Sequence, residues 1–142
     1  MQRVLLNITG TQHEGDSNER IELITEGRLI KKPEGLFIEY DESELTGIDG
    51  CTTTLVFTDD SVTIERNGTL NMQMVFSPGR VFDSSLETPY GSVSLHVFAS
   101  LVESELSENE GRLRLEYELS LGTLSTFNKL DLSFKSMEEC VN

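Results

Sequence analysis

Apolar residues along the chain recur mostly at every second position, in short runs punctuated by Gly, Pro, Asp-Asp and Asn-Gly. That is the pattern of antiparallel strands with one wet face. The clearest case is Arg112-Leu113-Arg114-Leu115-Glu116-Tyr117-Glu118-Leu119, where odd positions are apolar or aromatic and even positions are charged. A helical stripe of ten residues is absent. The alternation predicts strands near residues 3–12, 19–30, 35–41, 52–57, 61–66, 69–76, 80–87, 91–106, 112–121 and 123–135. Residues 13–18 and 41–50 read as polar loops.

Turns can be placed by parity, because residues opposite each other in an antiparallel pair share a face. An Asp59-Asp60 loop sets Phe57 against Val62 and Leu55 against Ile64, so both apolar sets fall on one side. A Leu121-Gly122 loop sets Leu119 against Leu124, Leu115 against Asn128 and Leu113 against Leu130. In Ile64 to Met72 (IERNGTLNM), a two-residue Asn67-Gly68 loop throws the apolar faces out of step. A three-residue loop of Arg66, Asn67 and Gly68 instead sets Ile64 against Leu70 and Val62 against Met72, with Gly68 as a left-handed G1 bulge. Arg66 then belongs to the turn, where it ties the hairpin to a carboxylate or to backbone carbonyls in preference to reaching a deep ligand. Segment 91–106 is long for a strand, and its apolar phase changes at Leu101-Val102, which predicts a bulge or sharp bend.

Strands this numerous, joined by short turns, must cover their apolar face by packing or closure. The expectation is one all-β domain over residues 1–142, a closed or nearly closed antiparallel meander β-barrel of 8–10 strands, favoured over a two-sheet sandwich.

Charge narrows the partners. Lys and Arg number 11 against 25 acidic residues, a formal net charge of −14, which repels phosphate backbones and anionic membranes. Nucleic acid and membrane are therefore not expected as partners, and a basic protein or a small molecule is. The opening MQRVLLNITG lacks a signal-peptide cleavage site and no apolar run is long enough to cross a membrane, so a cytoplasmic monomer or weak homodimer is expected. Cys51 and Cys140 lie far apart without a CxxC partner and read as structural or incidental thiols. His13 and His96 have no metal-ligand spacing, the serines no nucleophile elbow and the many carboxylates no distinguishing arrangement. No cofactor, metal or catalytic residue is assigned, and an enzyme ranks behind a binding or interaction role.

Candidate site residues are then the polar ones in the inward phase. Tyr40 and Tyr117 occupy the apolar phase of their strands, Glu42 continues that of Leu36, Ile38 and Tyr40, and Asn128 falls on an inner face. Tyr90 sits between Pro89 and Gly91 at a strand entrance, and Arg66 at a mouth. Tyr40, Glu42, Arg66, Tyr117 and Asn128 could line one end of a barrel, as a pocket for a small molecule with an anionic group to match Arg66 or as a satisfied internal network.

A run of short motifs also carries a resemblance: Ile8-Thr9-Gly10-Thr11-Gln12, Phe37-Ile38-Glu39-Tyr40-Asp41-Glu42, Thr53-Thr54-Leu55, Ile64-Glu65-Arg66-Asn67-Gly68, Met74-Val75-Phe76 with Pro78-Gly79, Thr88-Pro89-Tyr90-Gly91 and Leu115-Glu116-Tyr117. In order and spacing they resemble the bacterial YwiB-like family, a domain of unknown function with calycin- or lipocalin-like barrels. The resemblance spans nearly the whole chain and implies architecture, with no activity to carry over. Residues matching the family pattern are Gly10, Tyr40, Glu42, Arg66, Gly68, Tyr90, Gly91 and Tyr117. Lipocalin-type barrels often enclose a ligand, which makes binding an expectation by fold analogy.

Overall fold

The computed structural model describes residues 2–42 and 50–137. Within them the alternating pattern forms ten strands: β1 (Gln2–Glu14), β2 (Ser17–Lys32), β3 (Gly35–Asp41), β4 (Cys51–Phe57), β5 (Val62–Gly68), β6 (Met72–Phe76), β7 (Val81–Thr88), β8 (Gly91–Leu106), β9 (Glu110–Leu121) and β10 (Leu124–Ser136). They make one sheet in the order β6-β5-β4-β3-β2-β1-β10-β9-β8-β7, so strands adjacent in sequence pair except β6 with β7, and β1 pairs with β10. The remaining gap, between β6 and β7, is bridged where Asn71 and Glu87 exchange backbone hydrogen bonds of 3.0 and 2.8 Å. The result is a nearly closed antiparallel meander barrel with one seam.

Closure puts the apolar phase of every strand inside. Across β3 to β6 the pairing stacks inward residues in layers: Leu36, Phe57, Val62 and Phe76 at one end, then Ile38, Leu55, Ile64 and Met74. Val4, Leu6, Leu29, Leu95, Val97, Leu113, Leu115 and Phe134 join them in one buried core from the other strands. Burial of this apolar set is the main force that closes the sheet.

The Asp59-Asp60 hairpin has the expected register, with Leu55 opposite Ile64 and Phe57 opposite Val62. Two others differ. Leu121 pairs with Leu124, so the turn is Gly122-Thr123 and Leu115 faces Leu130, not Asn128. Arg66 pairs with Met72, so the β5–β6 connection runs over residues 67–71, and Ile64 faces Met74. Gly68 has φ +144, a positive value that favours glycine but lies outside the left-handed helical well of a G1 bulge. In both cases the slip is an even number of residues, which preserves the buried face and leaves parity blind to it. Residues 13–18 shrink from a loop to a tight turn, since β1 runs to Glu14 and β2 starts at Ser17. The expected bend in β8 is present as a register shift between Ala99 and Leu101, with Ser100 the extra residue. Most of the expected 41–50 loop lies outside the described residues, as does Cys140.

Candidate functional site

Two rows of paired residues face each other across the end of the barrel that carries the β1–β2, β5–β6, β7–β8 and β9–β10 turns. On one wall the register aligns Tyr40 with Thr53, Thr53 with Arg66 and Arg66 with Met72. On the other it aligns Gln12 with Asn128, Asn128 with Tyr117 and Tyr117 with Ala99. Both rows continue the inward phase of the apolar layers below them. Between them lies a cavity of about 310 Å³, walled also by Ile8, Leu23, Leu119 and Leu130 and floored by Leu55, Ile64, Met74 and Leu132. Gly10 lines it without filling it, because a Cβ there would meet only the Lys129 carbonyl oxygen, at 4.0 Å.

The register shifts move Arg66 from a turn to an inward strand position, which corrects the expected mouth placement. Its Nε lies 3.6 Å from Glu42 Oε2, with the Glu42 side chain 2% exposed and that of Arg66 24%. Glu42 follows β3, and its backbone N–H donates to the Cys51 carbonyl at 2.8 Å, which holds the carboxylate against β4 and β5. There it accepts a short hydrogen bond from the Thr53 hydroxyl. Arg66 Nε is buried without any hydrogen-bond partner among the described residues. The guanidinium is thus matched in charge but short of acceptors.

The phenols record the same surroundings. Burial, with the Glu42 carboxylate beside it, pushes the Tyr40 phenol up to about 12 against an opposing pull from Arg66. Tyr117 is likewise raised by burial and pulled back by Arg66, and its ring packs edge-on to Phe76 at 4.8 Å. Asn128 is buried and donates to Thr126 Oγ1 at 3.0 Å.

Five of the six expected residues, Tyr40, Glu42, Arg66, Tyr117 and Asn128, therefore line one cavity. Tyr90 does not: it is 99% exposed at the β7–β8 turn, at the same end of the barrel but outside the cavity wall. Its place next to Pro89 and Gly91 marks the turn, a signal with no inward component. Thr53 was overlooked, although it lies in phase with Cys51 and Leu55 and is the polar residue that fixes Glu42. Met72 was placed opposite Val62 and its cavity position missed with the hairpin register.

The model of a domain of unknown function (DUF1934) matches residues 6–132, nearly all of the barrel. The chain belongs to the DUF1934 family. Within it, the chain is 22% identical over 119 residues to the uncharacterized β-barrel protein YwiB of Bacillus subtilis, covering 84% of this chain and 82% of that protein. The crystal structure of the same Bacillus subtilis protein superposes with a TM-score of 0.85 at 19% identity, over 95% of this chain and 92% of that one. At that identity the likeness establishes the shared barrel of this DUF1934 member.

Proposed function

We propose that this DUF1934 barrel is a calycin- or lipocalin-like binding protein of the cytoplasm that takes a small molecule into its interior. The reading is carried by one observation: the half of the barrel below Ile64 and Met74 is packed, while the half above encloses about 310 Å³ with Arg66, Tyr117 and Asn128 converging on an apolar wall. Pockets for small ligands combine these features, an apolar lining with a few placed polar groups. The body of the ligand lies against Ile8, Leu23, Met72 and Leu119, and its polar end supplies an oxygen acceptor to Arg66. No covalent step is needed, since Glu42, the one carboxylate buried in the wall among the described residues, is committed to Thr53 and Arg66. Monomer or weak homodimer remains the proposed state.

An interaction module for a basic protein is the second reading, motivated by the net charge of −14. Charge by itself picks out no surface, and the cavity does, so binding is preferred.

Native mass spectrometry of freshly purified protein, set beside its denatured mass, tests this. The expected result is a non-covalent adduct of a few hundred daltons in wild type, on the order of what a pocket of this size holds, and none in Gly10→Leu. The leucine grows into the cavity from an ordinary strand conformation, so this variant keeps its fold. A wild type without adduct, or an adduct that persists in Gly10→Leu, overturns the proposal.

A further inference from the structure

Resting on that reading, we propose that the ligand is uncharged: an apolar molecule bearing a carbonyl-type acceptor, an amide, ketone or ester, with anions selected against. Arg66 alone suggests an anion, as the sequence does. Glu42 changes the electrostatics. The guanidinium already has a carboxylate 3.6 Å away, and that carboxylate is 98% withdrawn from solvent, so its charge is not screened by water. A second anion brought to Arg66 would stand beside Glu42 in a cavity with one cation between two carboxylates. Like charges sharing a desolvated site disfavour each other's ionised forms.

Hydrogen bonding points the other way. Arg66 Nε is buried without an acceptor among the described residues, although Glu42 Oε2 stands 3.6 Å away. Arg66 therefore lacks acceptors and does not lack countercharge. A neutral carbonyl oxygen supplies the first without disturbing the second. The Thr53 hydroxyl is spent on Glu42, and the Tyr40 phenol sits beside the Glu42 carboxylate, which leaves Arg66 with Tyr117 to meet the ligand. At the rim Glu19 and Lys129 carry opposite charges and give no local attraction to an anion, while the whole molecule at −14 repels one.

Isothermal titration with octanamide and octanoate, nearly isosteric and differing in charge, separates the alternatives. At neutral pH octanamide is expected to bind wild type at least about tenfold more tightly than octanoate, and Glu42→Gln is expected to narrow or reverse the ratio. Equal or tighter binding of octanoate by wild type overturns the inference and leaves the binding reading standing. Binding of neither probe removes both. The wild-type comparison decides the matter even where Glu42→Gln fails to fold.

Discussion

At the residue scale, the site depends on a buried ion pair held in place by a threonine. Removing one member of such a pair strands the other charge in the interior, which costs more than the pair contributes. Arg66→Met is expected to lower stability by about 2 kcal/mol, below the full range for buried pairs because the guanidinium is a quarter exposed. Adding Glu42→Gln should recover part of that loss. Denaturant unfolding of the two single variants and the double variant measures the coupling; simple additivity would show that the two side chains do not act as a pair. Tyr40 supplies a second check through pH. Its phenol ionises near 10 in the unfolded chain and at about 12 in the barrel. Between those values the unfolded chain has lost a proton that the folded one keeps. Stability is therefore intact below pH 10 and falls by about 1.4 kcal/mol per pH unit as pH rises toward 12. Tyr40→Phe should reduce that slope, and urea midpoints measured at intervals across the window report it.

At the element scale, alternation made all ten strands legible and assigned their inner faces, because burial on one side imposes a period of two. It could not set registers. The β9–β10 and β5–β6 hairpins slipped by two and four residues from the expected pairings, and both slips preserve parity. The β5–β6 error mattered most, since it took Arg66 out of the cavity wall. The actual loop is fixed by one local cap and by one contact far away in sequence. Asn71 caps Gly68 through two side-chain bonds of 3.2 and 3.1 Å, and its backbone crosses to Glu87. A Cβ on Gly68 would lie 2.1 Å from the Gly50 carbonyl oxygen, at a positive φ. Gly68→Ala should accordingly cost about 2 kcal/mol or more, read as a lowered melting temperature. An unchanged melt would mean that β4 and β5 do not approach so closely. Along the seam, amides of β6 and β7 are expected to exchange with deuterium faster than those of β1 and β10, which are paired on both sides.

At the scale of the molecule, the barrel divides into a packed half and a hollow half. The packed half follows from large apolar residues in phase; the hollow half follows from Gly10, Thr53, Arg66, Tyr117 and Asn128 occupying the same phase with smaller or polar groups. Polar residues in the inward phase were thus the readable trace of a site. Which of them meet across the barrel was not readable, because that depends on closure through β1 and β10. The exterior is held by ion pairs such as Arg3 with Glu26 and Arg112 with Asp131, at 2.7 and 3.1 Å, within an acidic surface. Among the described residues no helix is long and apolar enough to cross a membrane.

The four methionines offer the most direct view of the interior. Met72 and Met74 line the cavity, whereas Met137 is exposed elsewhere. Methyl spectra of protein carrying labelled methionine, recorded while octanamide is added, should show the Met72 and Met74 signals moving to saturation and that of Met137 staying fixed. Stationary Met72 and Met74 signals, or a shift confined to Met137, would contradict an interior binding site.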